Sequence, residues 1–349
     1  RRAIVAALDA AVVRVDRVVA QTSQIERVRI EVTPRADRRD RSTGLAQGLG
    51  ASATIPDIAI PDIAAPLVVP LCRTDAQLDA VIEAGATDVE LDWMEMVGLS
   101  RAVARAKARG LRVGVATVRV QKPGEERIDA HLARLEPDWI LVRSWGSLGY
   151  LAGLADHPTL HGDFSLNVTN SLTAGWVLGH GLETLTAAHD LDRDQLFALL
   201  AQAPRGRVAV TVHHHIPTFH TEHCVYAHLL STGKDYKTCG RPCERSAVSL
   251  RDRVGLVHPV VVDVGCRNTI FNAQAQSAAT LVPALLAEGV RRFRLELVRE
   301  TADETQTLFT AYAALAAGTL APAEVVRRAA VHEQFGVTRG TMRTLTVLR

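Results

Sequence analysis

Four of the five cysteines fall in one short stretch: Cys224, Cys239, Cys243 and Cys266, separated by fourteen, three and twenty-two residues. Thiolates bind metals, and four of them can hold one zinc ion or one iron–sulfur cluster. Structural zinc usually takes two close pairs, whereas only Cys239 and Cys243 are close here. That spacing suits a larger cluster held by a loop and leaves zinc open. Buried, unliganded thiols are the plainer reading. Against it, Thr238-Cys239-Gly240-Arg241-Pro242-Cys243-Glu244-Arg245 is too polar, and too broken by Gly and Pro, to be core.

Histidines crowd the same region: His213-His214-His215, then His220, Glu222 and His223. On a strand, His213 and His215 share one face and His214 takes the other. The expectation is that His213 and His215 reach a site while His214 lies against a helix. His220 and His223 are candidate cluster neighbours or acid–base groups. His220-Thr221-Glu222-His223 lacks the one-turn His–His spacing of a zinc peptidase, and no Gly-x-Ser-x-Gly elbow occurs.

The chain of 349 residues is 47% hydrophobic and 22% charged with a net charge of +2, enough for a sizeable core and against wholesale disorder. Near-neutral charge argues against coating nucleic acid by electrostatics alone, and 4% aromatic residues against a base-stacking sheet. No apolar run reaches the roughly 18 to 20 residues of a membrane span, and no signal peptide is visible. Five cysteines, an odd number, do not make a secreted disulfide scaffold. The sequence reads as soluble and cytoplasmic.

The elements that must position these residues begin near residue 66. A strand over Leu67 to Cys72 leads to a helix over Thr74 to Ala84, closed by Gly85, and a strand over Val89 to Trp93. Gly110, Gly181 and Gly289 precede further strands in the same way, each a left-handed helix stop. Strands over Trp139 to Val142, Thr159 to Leu166 and Val208 to His213, with helices between them and one over 274–288, complete about eight units. Many strands look apolar on both faces, as a covered parallel sheet requires. Eight units in about 250 residues predict a (β/α)8 TIM-like barrel; an open doubly wound sheet is the alternative.

Residues 1–65 read as an N-terminal segment and linker, 66–318 as the barrel with a cysteine-rich insertion over 214–272 after strand 7, and 319–349 as a C-terminal extension. The opening Arg1-Arg2 without Met suggests a fragment or processed product. In such a barrel, functional side chains lie at the carboxyl ends of strands. Glu90, Asp92, Glu95, the Gln121–Glu126 loop, Arg143, His161, Asp163, Asn167, Asn170, His189, Asp190, Glu296, Arg299 and Glu300 all fall there.

The run from His215 through Cys224, Cys239-Gly240-Arg241-Pro242-Cys243 and Asp263-Val264-Gly265-Cys266-Arg267-Asn268-Thr269 resembles the signature of the collagenase-like peptidases of family U-thirty-two. Leu71-Cys72-Arg73, the Gln121–Glu126 loop and His161-Gly162-Asp163-Phe164-Ser165-Leu166-Asn167 resemble a large two-part subgroup, of which this chain would be the C-terminal half. The family name implies a peptidase. Its better-understood relatives are oxygen-independent hydroxylases that carry a four-iron four-sulfur (4Fe-4S) cluster and modify RNA bases or a ubiquinone precursor, with prephenate as hydroxyl donor to RNA.

By that resemblance Cys224, Cys239, Cys243 and Cys266 are the cluster ligands. In some relatives an early cysteine replaces a late one, which makes Cys72 the alternative to Cys266. His161, Asn167, Asn170, His213, His215 and Glu222 are expected to line the pocket, with Arg143 and Arg267 binding a small anionic co-substrate through bidentate contacts. The implied partners are tRNA or rRNA, and the upstream half of the same protein or a paralogous subunit, with no membrane span. A peptidase and a non-catalytic RNA-binding half are the competing readings.

Overall fold

The computed structural model describes residues 65–329 except 95, 205 and 234. The expectations for residues 1–64, for 330–349 and for Glu95 lie outside the described residues.

Seven parallel strands follow in order: β1 (Leu67–Cys72), β2 (Asp88–Leu91), β3 (Arg112–Ala116), β4 (Trp139–Val142), β5 (Thr159–Gly162), β6 (Leu182–Thr186) and β7 (Val208–Thr221). After three further strands, β8 (Val248–Arg251), β9 (Val257–Val262) and β10 (Asn268–Ser277), comes β11 (Arg292–Glu296). β11 pairs in parallel with both β1 and β7 and closes the ring, so the architecture is an eight-stranded (β/α)8 barrel and not an open sheet. Around it run α1 (Asp75–Glu83), α2 (Leu99–Ala108), α3 (Glu126–Arg134), α4 (Trp145–Ala152), α5 (Ser171–Leu178) and α6 (Arg193–Gln202). Then come α7 (Val225–Leu230), α8 (Val282–Ala287), α9 (Ala302–Ala316) and α10 (Pro322–Arg328). Among the described residues no helix is long and apolar enough to cross a membrane.

Local chemistry accounts for the boundaries. Thr74, Ser144, Asn170 and Asp192 each accept the backbone N–H three residues on, satisfying a donor the helix leaves orphaned. Asp192 with Gln195 and Thr301 with Glu304 do so reciprocally. Gly85, Gly110, Gly181 and Gly289 take φ of 82° to 92°, the left-handed stop their positions predict.

The strands are apolar on their outer faces, and the inner face mixes charged and polar groups with a small apolar cluster of Leu71, Ala116 and Leu141. Val89, Leu91, Val113, Val115, Ile140 and Val142 join the main core beneath the helices. Inside the ring lie Glu90, Trp139, His161, Arg292 and Arg294, all buried. Gly114 makes room for one of them, since a Cβ there would lie 2.2 Å from the Trp139 indole.

Three elements depart from the sequence reading. The strand expected over Thr159 to Leu166 ends at Gly162, where the Asp163 carboxylate accepts the Phe164 N–H and starts a 3-10 turn over Phe164–Leu166. β7 runs on past His213 to Thr221 and pairs antiparallel with β10, which continues to β9 and β8. Pro217, which has no N–H to give, sits where that ladder slips register. The helix expected from residue 274 begins only at Val282. Asn272-Ala273-Gln274-Ala275-Gln276-Ser277 is strand, and its alternating burial prevails over the helix propensity of Ala and Gln.

Candidate functional site at the barrel mouth

The β7–β10 excursion leans over the carboxyl ends of the first strands. Arg267, at the start of β10, bonds Glu125 of the β3–α3 loop at 2.6 Å and Glu222 at 2.9 Å, and Lys122 pairs with Glu222. Between the two layers is a cavity of about 20 Å³ lined by Arg73, Asp92, Arg119 and Arg143 from the barrel and by His220, Asp263 and Thr269 from the excursion. That is room for a water or one small polar group.

Beneath the cavity runs a lattice of buried charges. Arg294 reaches Glu90 at 2.7 Å and Asp163 at 2.6 Å, and Arg143 reaches Asp163 at 2.8 Å. Arg143 also holds Asp92 by two bonds of 2.8 and 3.0 Å, and Arg73 meets Asp92 at 2.8 Å and Glu296 at 3.8 Å. Arg292 stands 3.8 Å from Glu90, whose carboxylate also accepts the Trp139 indole N–H at 3.1 Å. Burial alone would raise the carboxyls' pKa values, but the guanidiniums hold Glu90, Asp92 and Asp163 below their ordinary range. Four carboxylates thus face four guanidiniums.

Arg119 is a fifth cation at this mouth, and no described carboxylate pairs with it. Its guanidinium lies over the Phe164 ring, 4.9 Å from the centroid. Desolvation, and then the charge of Arg143, lower its pKa. Facing the same cavity, His220 has Nδ1 2.9 Å from the Thr269 hydroxyl, while its Nε2 is buried without a partner. Burial, then Arg119 and Arg267, bring His220 down to about 4, so the ring is neutral at pH 7.

The cysteines of the excursion are placed by its hydrogen bonds. Cys224 caps α7, its Sγ accepting the Ala227 N–H at 3.5 Å. Cys243 lies in a 3-10 turn (Pro242–Glu244), and both side chains pack on a small core of Tyr226, Val260 and Val262. Cys266 takes φ of 60° in a turn held by Asp263, whose carboxylate accepts the N–H groups of Gly265 and Arg267. Asn268 then donates to the Cys266 carbonyl at 3.3 Å and accepts the Val225 N–H at 2.8 Å, tying the Cys266 turn to the residue beside Cys224. Cys239 follows a turn anchored by Asp235 and packs so closely on Gly233 that a Cβ there would meet its Cα at 2.5 Å. Among the described residues, no three His, Cys, Asp or Glu side chains are gathered tightly enough to hold a single metal ion. Cys72 lies elsewhere, in the apolar layer beneath the helices, and burial pushes its thiol far up.

None of the six residues expected to line the pocket borders this cavity. His161 lies within the barrel, stacked on Trp139 at 5.4 Å and brought by burial to about 4. Asn167 adopts φ of 57° to end a short turn, and Asn170 caps α5. Glu222 is engaged by Lys122 and Arg267.

His213 and His215 face outward, and His214 faces inward against His189, the reverse of the expected alternation. The cause is a bulge: Arg294 and Leu295 of β11 oppose Thr211 and His213 of β7, so one extra residue shifts the phase. His213 and His215 instead meet Glu300 at 3.4 and 3.3 Å, and His215 Nδ1 donates to the Asn272 carbonyl at 2.8 Å. Arg143 and Arg267, expected to bind an anion, are both engaged by carboxylates. Arg292, Arg294 and Arg119 escaped the sequence reading, although the alternation Arg292-Phe293-Arg294-Leu295-Glu296 signals a strand with a charged inner face.

A model of peptidase family U32 matches residues 90–335. The chain belongs to peptidase family U32. Among solved structures, this family member is similar to one described as a U32 peptidase, at 16% identity, TM-score 0.36, over 50% of this chain and 74% of that one. A putative fructose-1,6-biphosphate aldolase from Coccidioides immitis is similar at 12% identity, TM-score 0.36, over 67% and 74%. The 3-dehydroquinate dehydratase from Aquifex aeolicus VF5 is similar at 16% identity, TM-score 0.32, over 42% and 79%. At these scores nothing further rests on them. No curated protein matches the chain.

Proposed function

We propose that this member of the U32 family is an iron–sulfur-dependent, oxygen-independent hydroxylase acting on an RNA base or a related aromatic substrate. The observation that carries the reading is the Asn268 tie. It draws the Cys266 turn to the Cys224 cap, while Cys224 and Cys243 share one small core, so three of the four thiols belong to a single corner of the excursion. Cys239 is four residues from Cys243 on the same loop. The donor set is all thiol and its members are not drawn around one point. Four thiolates are the donor set a 4Fe-4S cluster takes, and Cys224, Cys239, Cys243 and Cys266 would hold it. When bound, the cluster supplies one-electron chemistry.

The chain's own groups supply the rest. The lattice from Glu90 to Glu296 fixes the rim of the mouth. His220 is neutral, so it can carry or accept a proton at Nε2. Trp93, Met94, Met96 and Phe271 give the cavity an apolar wall. A planar ring would lie at the opening with only its reacting edge inside, and a small anion such as prephenate would serve as hydroxyl donor.

Proteolysis is the second reading, and one contact speaks for it: the Thr269 hydroxyl beside His220 is a hydroxyl–imidazole pair at the mouth. Among the described residues no carboxylate orients the other ring nitrogen, so the pair lacks a triad's third member. The deciding experiment is anaerobic purification with metal analysis and visible absorption. A brown protein with about four iron atoms per chain supports the hydroxylase. A colourless protein that cleaves gelatin, or one stoichiometric in zinc, overturns it.

A further inference from the structure

The cavity at the mouth is flanked by more positive than negative charge. Arg73, Arg119 and Arg143 line it against Asp92 and Asp263; Asp92, Asp163, Glu90 and Glu296 are matched by Arg73, Arg143, Arg292 and Arg294, and Asp263 is turned to the backbone N–H groups of Gly265 and Arg267. Arg119 is left over. Its guanidinium is mostly shielded from water, is stacked on Phe164 at 4.9 Å and lines the cavity; Glu296, Asp163 and Asp92 act on it only at longer range, and no carboxylate among the described residues stands at ion-pair distance. A desolvated cation without a direct ion-pair partner is costly unless a ligand supplies one.

The second unmet group is His220 Nε2, buried in the same cavity. If the Thr269 hydroxyl donates to Nδ1 at 2.9 Å, the ring proton sits on Nε2 and is offered to the cavity. Two donors without acceptors, one charged, therefore border a void of about 20 Å³, the size of one small polar group.

We propose that Arg119 and His220 Nε2 form a receptor for a single oxyanion, the carboxylate or phosphate group of a substrate whose remainder lies outside the cavity. Arg143 is not that receptor, because Asp92 and Asp163 take all three of its nitrogens, and Arg267, although its Nη1 has no partner, does not line the cavity. The geometry favours Arg119 over a lysine, since a planar guanidinium can face an oxyanion with two parallel N–H bonds while resting on an aromatic ring. The inference rests on the reading above only in taking the mouth as the place where substrate binds. It needs neither a cluster nor turnover.

The test is calorimetric titration of the full chain with acetate and, separately, inorganic phosphate, at constant ionic strength set with chloride. One of the two should bind, and which one identifies the headgroup. Arg119→Gln should weaken that binding at least tenfold, Arg119→Lys should weaken it less, and His220→Phe should weaken it about fivefold. Substitution of the exposed Arg253 by Gln should leave it unchanged. A second measurement protects against misfolding: the anion should raise the melting temperature of the wild type and not that of Arg119→Gln, provided both show the same far-UV circular dichroism. Equal binding by wild type and Arg119→Gln, or no binding of either anion by the folded wild type, overturns the proposal. If anaerobically purified protein carries no iron yet binds the anion through Arg119, the missing iron sinks the hydroxylase reading and the anion binding leaves this one standing.

Discussion

Arg143 grips Asp92 with two parallel bonds of 2.8 and 3.0 Å, and its third donor reaches Asp163 at 2.8 Å, so one guanidinium from the end of β4 locks the ends of β2 and β5. All three side chains are buried. The pair is a clamp across the barrel rather than an open ligand site, and its removal should be felt as stability.

Arg143→Met leaves Asp92 with Arg73 and Asp163 with Arg294, each short of one partner in a dry setting. A loss of about 3–5 kcal/mol is expected from urea unfolding at pH 7. The carboxyls of Asp92 and Asp163 are held below their ordinary range by these arginines. Their contribution is therefore complete above about pH 4, the unfolded value, and is lost as pH falls further. A change under 1 kcal/mol would show that the clamp is dispensable.

A separate acid effect comes from buried neutral histidines. Burial brings His161 from 6.5 to about 4 and His189 to about 3. Between pH 6.5 and those values the unfolded chain binds protons that the folded one refuses, so stability falls as pH falls through that window. The expected size is about 3 kcal/mol for His161. His161→Leu should flatten a denaturation series between pH 6.5 and 4 by that amount; an unchanged slope would mean that the ring protonates in place.

Gly114 exists to admit Trp139. A methyl group there would sit 2.2 Å from the indole nitrogen, which donates to Glu90. Gly114→Ala should therefore lower stability by about 1–3 kcal/mol or more and disturb indole fluorescence. Gly149, around which a Cβ meets nothing within 4 Å, should tolerate the same change.

On the proposed cluster reading, Ser in place of Cys224, Cys239, Cys243 or Cys266 should each lower bound iron and visible absorption in anaerobic protein, because a 4Fe-4S cluster would need every thiolate. Cys72→Ser should keep the iron and cost stability, since that thiol packs in the apolar layer. Retention of iron by Cys266→Ser and its loss from Cys72→Ser would exchange the two roles. Preserved RNA binding by the four-fold Ser variant without iron or activity would favour a non-catalytic RNA-binding half.

Much of this was legible in the chain because it is local. Periodic apolar runs, capping side chains and the four helix-stopping glycines are fixed by neighbours a few residues away, so the barrel and the bounds of β1 and β4 could be read directly. The cysteines and the polar strand ends were visible as types and spacings. Which of those polar groups are occupied was not, because occupation depends on partners far apart in sequence. Arg294 meets Glu90 across 204 residues, and Arg267 meets Glu125 across 142. The inward or outward aim of His213, His214 and His215 turned on one extra residue in a register shared with β11, which no pattern within β7 contains. Only the closed ring determined that Arg143 and Arg267 are engaged and that Arg119 is left without a described ion-pair partner, because charge balance belongs to the assembled interior and not to any one strand.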